Sequence, residues 1–510
     1  MKRFPFYTLL LLLLVACKST IPDLSYEPGD IFMHGVASGD PLADRVIIWT
    51  RITIPHADSS VAVQWEMARD AEFRIPVQQG NFNTTAERDF TVKVDVGELR
   101  PGGEYYYRFK AYGVYSPVGR TRTAPAGSVD SLRFAVVSCS NYEWGYFNAY
   151  SHIAKQPDLA AVIHLGDYIY EYGPGVYGDT TIGRIHEPPY EIITLADYRM
   201  RYGQYRRDPD LQEVHKNHPF ISIWDDHEIA NNAYMDGAQN HQPEEGDFQV
   251  RRNVAKQVYY EWMPVREGGP LYRKFDFGPL ATLIMLDERL AGRTAPVPGP
   301  DDSGFSSKER SMLGEEQFQW LTSQLVRTRS TWKIIGNQVI FSRLNTGREN
   351  LNLNMDAWDG YPYEQARLAE MFSINQFDNL IMVTGDTHSS WVFESTLDPF
   401  GAYNAKTGEG ALAIELGTTS INSANSNESN PDSLVMIHER LLLSEEVNPH
   451  LKYVNLRDHG YLLLSLSPTA ARADFYFVKS LRQRNVEAGI EARFWVPAGE
   501  YHILKSPPQD

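Results

Sequence analysis

The feature that most constrains this chain is an apolar run that stops abruptly at a glycine and an aspartate, Ala160 to Glu171, AAVIHLGDYIYE. A run without polar alternation suits a strand buried on both faces, as in a sheet covered by helices. Gly166 allows a tight exit, Asp167 places a carboxylate where the strand leaves the sheet, and Tyr170 can turn its phenol back toward the same point. Alone, Gly-Asp after a strand is an ordinary turn with the aspartate capping a helix. Three further runs end in the same way: LRFAVVSCS at Cys139, PFISIWDDHE at Asp225, Asp226 and His227, and NLIMVTGDTHSS at Gly385, Asp386 and His388. In α/β sheets ligands sit at the carboxyl ends of strands, so these side chains are expected to meet along one edge.

The residue types fit a metal centre. A carboxylate such as Asp167 can give one oxygen to each of two cations about 3.5 to 4 Å apart, the spacing at which a metal pair handles attacking and leaving oxygens. Cys139 as thiolate and Tyr170 as phenolate are anionic donors suited to a high charge such as ferric iron, and Asp226 suits a second, oxygen-loving metal. In Asp386-Thr387-His388, side chains at i and i+2 of an extended segment share one side, giving one hard and one borderline donor. His164 reads as a satisfied core histidine and Asp287 as a structural cap, whereas Arg199, Arg201 and Arg289 are candidates for phosphate oxygens. Asn231, Asn232 and Asn337 are further candidate oxygen donors, with ordinary loop and strand-end roles equally open.

The formal net charge of -17 over 510 residues argues against a nucleic-acid-binding surface, and an anionic substrate would need local positive charge such as bound cations. Lys2 and Arg3 precede an apolar segment, Leu9 to Val15, that ends in Leu-Val-Ala-Cys at Cys17. This reads as a secretory signal over 1–17, too short to span a bilayer and similar to a bacterial lipobox, which makes Cys17 a lipid anchor. The mature chain is then expected outside the cytoplasm, membrane-anchored in the periplasm or at the cell surface. Residues 18–30 read as a tether. Cys139 is the other of two cysteines, so with Cys17 acylated it has no intramolecular disulfide partner, and an unpaired cysteine in an oxidising compartment is a liability unless buried or bound.

Residues 31–126 carry β signals only, in DRVIIWTR, VAVQWEMARD, FTVKVDVGEL, YYYRFKAYG and SPVGRTRT, and read as a β-sandwich. Leu99, Pro101, Gly102, Gly103, Tyr105 and Tyr107 look like the Tyr corner of a fibronectin type III domain. From 131 to 510 strands alternate with helical stretches, which implies an α/β layer architecture holding the chemistry. Two amphipathic helices are expected to face the core, Asp247 to Met263 through Val250, Val254, Val258 and Trp262, and Glu315 to Leu325 through Phe318, Leu321 and Leu325. Tyr172 to Tyr190, Tyr234 to Gly246 and Ser420 to Ser433 read as long loops, the first a candidate lid.

The ordered blocks HGVASGDP (His34 to Pro41), SCSN (Ser138 to Asn141), GDYIYE (Gly166 to Glu171), DYRMRYGQYRRDPDLQ (Asp197 to Gln212) and WDDHE (Trp224 to Glu228) go further. With YEWMPVR (Tyr260 to Arg266), LGEEQFQWL (Leu313 to Leu321), TWKIIGNQ (Thr331 to Gln338) and TGDTHSSW (Thr384 to Trp391), the chain resembles the PhoD-type alkaline phosphatases. These belong to the calcineurin-like and purple-acid-phosphatase-like metallophosphoesterase group. The resemblance spans about residues 31 to 480. It implies a four-layer α/β/β/α catalytic domain preceded by a β-sandwich, with Cys139, Asp167, Tyr170 and His388 holding Fe3+ and Asp167, Asp226 and Asp386 holding Ca2+. His227 corresponds to the group's histidine that contacts phosphate or protonates the leaving group. Departures are Asp226 where the wider group has Asn, and GDTH where it has GHxH, so that oxygen donors replace imidazole, which fits calcium better than zinc.

The reaction so implied is hydrolysis of a phosphate ester by a hydroxide made on the metals, with Asp167 bridging, His227 assisting the leaving oxygen and the chain acting as a monomer. Phosphodiesterase or phospholipase D-like activity on the same site is the alternative. A binding protein that has lost catalysis would lack ligands, and none of the main set is missing. A Ser-His-Asp hydrolase has no Gly-x-Ser-x-Gly elbow here to support it.

Overall fold

The computed structural model describes residues 27–54, 59–346 and 353–508. The expected signal, Cys17 and most of the tether lie outside the described residues. The end of the tether, Pro28–Ile31, is a helical turn with Ile31 buried.

Two large sheets carry a mixed α/β fold. The nine-stranded sheet runs, in spatial order, Ala488–Pro497, Ala470–Val478, Gly460–Leu466, Leu132–Val137, Ala161–His164, Pro219–Ser222, Val36–Gly39, Val46–Arg51 and Thr91–Val96. Leu132–Val137, Ala161–His164, Pro219–Ser222 and Val36–Gly39 are parallel neighbours. The seven-stranded sheet runs Arg273–Phe277, Ala281–Met285, Trp332–Asn337, Leu380–Thr384, Ala413–Gly417, Ser390–Ser395 and Leu451–Asn455, with its second to fifth strands parallel.

Period-two alternation divides the seven-stranded sheet between two cores. Leu283, Met285, Ile334, Ile381 and Val383 pack in one cluster with Val136, Val162 and Ile221 of the nine-stranded sheet. Ile284, Ile335, Leu380 and Met382, on the opposite face, pack with Phe318, Leu321 and Leu325 of helix Gly314–Arg327 and Leu368 and Phe372 of helix Pro362–Asn375. Helices Leu195–Arg206, Pro209–Asn217 and Phe248–Trp262 add Tyr202, Val214 and Val258 to the first cluster. Each such side chain contributes about 1.5–3 kcal/mol on burial.

The N-terminal region has a core of its own but shares a sheet with the rest of the chain. Val36, Val46, Ile48 and Val92 of the nine-stranded sheet form a core with Val61, Val63, Tyr107 and Phe109 of a five-stranded sheet built from Ser60–Ala68, Pro76–Thr85, Glu104–Ala111, Val114–Tyr115 and Gly119–Arg122. The Tyr105 hydroxyl accepts from Arg100 N at 2.8 Å, the hydrogen bond expected of a Tyr corner. Pro76–Thr85 escapes a hydrophobicity reading because this edge strand, PVQQGNFNTT, is mostly polar and exposed. Helix Phe248–Trp262 corrects the expected stripe: Val250 is 62% exposed, and Arg251, Ala255, Val258 and Trp262 face inward. Four-residue steps overshoot the 3.6-residue turn, so a stripe drawn that way drifts around the helix.

Candidate metal centre

All four chemistry-bearing strand ends meet, three from the nine-stranded sheet and one, Leu380–Thr384, from the seven-stranded sheet facing it. Glycines make the approach possible. A Cβ on Gly166 would lie 2.3 Å from Asp225 Cβ, and one on Gly385 would lie 2.9 Å from Ser138 Cβ. Backbone bonds tie the first two ends together, Cys139 N to Gly166 O at 3.1 Å and Ser140 N to Asp167 O at 2.9 Å. The Glu228 carboxylate gathers the next, accepting from Asp167 N at 3.0 Å, Tyr168 N at 2.7 Å and Asp225 N at 2.8 Å. Cys139, Asp167, Asp386 and His388 all sit at positive φ, 61°, 57°, 62° and 57°. Non-glycine residues enter this left-handed region only when their surroundings impose it, and such positions cluster at functional sites.

Three donor groups result, Cys139–Asp167–His388, Asp167–Asp226–His227 and Asp225–Asp226–Asp386, each with one ligand atom per residue mutually within 4.8 Å. Asp167 belongs to the first two and Asp226 to the last two, so the groups form a chain of adjoining sites. Asp167 Oδ2 lies 3.4 Å from Cys139 Sγ and 3.2 Å from the Tyr170 hydroxyl, which is 3.1 Å from His388 Nε2. The sequence-selected residues Cys139, Asp167, Tyr170 and His388 therefore surround one point, and Asp226, His227 and Asp386 adjoin it. One expectation changes. Asp386 and His388 are in left-handed turns, not an extended segment, and their side chains serve different groups.

The electrostatics are those of a buried anionic nest. Burial, then the Asp167 charge, pushes Cys139 well above its ordinary range, and the same two causes raise Tyr170. Burial and neighbouring carboxylates raise Asp167 and Asp386, the first despite His227 and the second despite Arg289. Against burial, Arg289 and then His227 hold Asp226 below the usual carboxylate range, while Asp225 is pushed up to about 6 by its burial. Asp225 Oδ2 and Asp226 Oδ1 are buried with no hydrogen-bond partner. Crowded acidic donors and orphaned oxygens fit cations, which would restore the charged forms.

The imidazoles are oriented from behind. His388 Nδ1 donates to Ala424 O at 2.7 Å, so Nε2 is free to ligate, as is usual for metal-binding histidines. Burial lowers His388 to about 4 and keeps it neutral. His227 Nδ1 meets Glu171 Oε2 at 2.7 Å. Asp226, Glu171 and Asp167 raise its pKa well above the ordinary value despite burial.

Several sequence readings resolve here. His164 is a core histidine bonded to the Tyr150 hydroxyl at 2.9 Å, and Asp287 caps Arg289 N and Leu290 N. Of the two readings open for three arginines, phosphate contact or ordinary pairing, the structure shows pairing. Arg199 pairs with Glu261 at 2.7 Å, Arg201 donates to the carbonyls of Glu187, Tyr170 and Tyr172, and Arg289 is enclosed by carboxylates. Asn337 is engaged with Trp358 and Val339. Glu171, Asp225, Glu228 and Asp356 carried no assigned role. The first three lie within the GDYIYE and WDDHE blocks and were open to the same strand-end reasoning, whereas the Ala424 carbonyl leaves no trace in side-chain chemistry. The Tyr172 to Tyr190 loop does cover the centre: the Tyr177 ring stacks on His388 with centroids 6.4 Å apart, and its hydroxyl is 3.2 Å from Nδ1.

A family model described as PhoD-like phosphatase matches residues 134–475, and one described as PhoD-like phosphatase, N-terminal domain, matches residues 19–125. The chain is 36% identical over 501 residues to alkaline phosphatase D of Bacillus subtilis (strain 168), covering 93% of this chain and 81% of the relative. It also resembles a solved structure described as "Structure of PhoD", with TM-score 0.83 and 32% identity over 95% of this chain and 94% of that one.

Proposed function

The chain belongs to the PhoD-like phosphatase family and is a phosphoric ester hydrolase, and from that premise we propose a site, a metal pair and a division of labour for it. Cys139, Asp167, Tyr170 and His388 hold Fe3+, and Asp167, Asp226 and Asp386 hold Ca2+. The observation that carries this reading is the sharing of Asp167 between the sulfur- and imidazole-containing group and the oxygen-rich one. When bound, the cations supply Lewis acidity toward phosphoryl oxygens and acidify a water molecule.

The chain's own residues do the rest. Asp167 and Tyr170 fix the anionic floor, Glu171 holds His227 with Nε2 toward the ester, and the protonated His227 donates to the departing alkoxide. The Tyr177 ring and the loop that carries it exclude water from the His388 side. No side-chain nucleophile takes part. The two facing sheets with helices on either side read as the four-layer α/β/β/α arrangement, preceded by a fibronectin type III-like sandwich that shares a strand layer with it. The apolar leader and Cys17 support a lipid-anchored chain outside the cytoplasm, with no nucleic-acid partner.

The decisive test combines metal analysis with two chromogenic substrates, a phosphomonoester and a phosphodiester. Asp167→Asn and His388→Ala should each lose metal and at least about 100-fold in rate on whichever ester the wild type prefers, while retaining wild-type circular dichroism. Tyr170→Phe should also lose the visible tyrosinate-to-iron absorption. A variant with full metal and full rate would sink the assignment.

A further inference from the structure

Five arginines are among the largest fully buried side chains of the described residues, Arg201, Arg206, Arg251, Arg289 and Arg293. Four of them are answered by acceptors. Arg251 meets Glu191 at 2.7 Å, Arg289 meets Asp356 at 2.7 Å, Arg293 donates to Asp356 O at 2.9 Å, and Arg201 donates to Glu187 O at 2.8 Å and Tyr172 O at 3.0 Å. Arg206, at the end of helix Leu195–Arg206, differs. Among the described residues it forms no ion pair; its Nη1 donates to the Tyr168 hydroxyl at 3.3 Å, and its Nε and Nη2 are buried with no hydrogen-bond partner. The guanidinium lies over the Trp49 ring, 4.3 Å from the centroid, a contact that offsets part of the lost hydration but gives these N–H groups no acceptor.

Nε and Nη2 form one edge of the planar fork, and their N–H bonds run side by side toward a single point. It is the edge that Arg266 presents to Asp95 at 2.8 and 3.0 Å, and Arg51 to Asp89 at 3.2 and 2.8 Å. The groups near the Arg206 charge do not neutralise it. Burial, then Arg51 and Arg206, lowers His34 to about 2, and burial, then Arg206, lowers His215, so both rings are neutral. The Nδ1 atoms of both are buried without a partner. A water molecule on that edge would satisfy the N–H groups and leave the charge, and a buried charge without a counter-charge is costly to a fold.

We propose that Arg206 binds a small monovalent inorganic anion, chloride in ordinary media, on its Nε–Nη2 edge. One charge calls for one charge, and the fully buried Trp49, Tyr168 and His215 around it favour a single-atom ion over a phosphate. Trp49 belongs to the N-terminal region and Arg206 and Tyr168 to the catalytic one, so the anion would hold the two regions together.

The test uses the full chain as purified, metals included. Crystals soaked in sodium bromide should show an anomalous bromide peak in contact with both Nε and Nη2 of Arg206; an ordered water there instead would overturn the proposal. In solution the wild type should melt several degrees higher in sodium chloride than in sodium gluconate at equal ionic strength, because a ligand of the folded state alone stabilises it. Equal Tm values in the two salts would overturn the proposal as well. Arg206→Met removes charge and fork together, so its Tm should not depend on the anion, and a chloride dependence as large as that of the wild type would place the anion elsewhere. Should Arg206→Met not fold, Arg206→Lys keeps the charge and lacks the fork, and should need roughly 10-fold more chloride for the same shift. An unchanged chloride requirement in Arg206→Lys would count against the fork.

Discussion

Glu288 is next to Arg289 in the chain but belongs to a different problem. It is wholly buried and accepts from Gln338 N at 2.9 Å, Val339 N at 3.0 Å and Trp358 Nε1 at 2.9 Å. Burial, with the Asp225 charge adding to it, raises its pKa from 4.5 to about 8. The folded chain therefore keeps the proton across a range in which the unfolded chain has released it. The stability this gives is complete below pH 4.5 and is lost as pH rises through about 8. Glu288→Gln is neutral throughout, so the stability of wild type relative to the variant should decline between those limits when denaturant unfolding is followed at several pH values. A difference that does not change with pH would refute the raised pKa. Asp226 moves the other way, because Arg289 and His227 together outweigh its burial.

At the scale of elements, the loop from Tyr172 to Tyr190 has no strand or α-helix, and one buried carboxylate bonds it at two points. Glu143, wholly buried, accepts from Gly175 N at 2.9 Å and from His186 N at 3.0 Å, and Asn141 Nδ2 holds Tyr177 O at 2.9 Å. Glu143→Ala leaves the buried His186 N–H without an acceptor, a cost of about 1–3 kcal/mol that local opening of the loop relieves, and frees the exposed Gly175 N–H. Limited proteolysis should then cut within 172–190 several-fold faster than in wild type, with the far-ultraviolet spectrum unchanged; equal cleavage rates would show that Glu143 does not hold the loop. The long loop and the strands were legible in the sequence because apolar runs and turn residues mark them. Glu143 was not, because a buried carboxylate that serves backbone N–H groups looks in sequence like any exposed glutamate. The same holds at the centre, where Cys139, Asp167, Tyr170, Asp226, His227, Asp386 and His388 were chosen by their place at strand ends. Arg289 stayed open between a phosphate contact and an ordinary ion pair because sequence shows a charge and not the carboxylates that enclose it. The edge strand Pro76–Thr85 and the inward face of helix Phe248–Trp262 failed for a related reason, since exposure in one and the neighbours in the other decide what faces the core.

At the scale of the whole molecule, the two regions matched by separate family models share one sheet. Ser38 and Gly39 pair in parallel with Pro219 and Phe220, the Trp49 indole donates to Glu261 O at 2.8 Å, and Asp40 is paired with Arg273 at 2.7 Å. Calorimetry should therefore record a single unfolding transition for both regions; two well-separated transitions would count against this coupling. The strand Pro219–Ser222, which leads to Asp225, Asp226 and His227, lies between Ala161–His164 and Val36–Gly39. Without the latter it would be an open edge beside a cluster of buried charges, prone to pairing with another chain. Among the described residues the N-terminal region supplies no donor to the three groups at the centre, yet it cannot be exchanged for another module in the way that beads on a string can. A lineage that recombined genes at the boundary between the two regions would inherit a working set of ligands on a sheet with a missing neighbour, so the two halves are expected to have descended together.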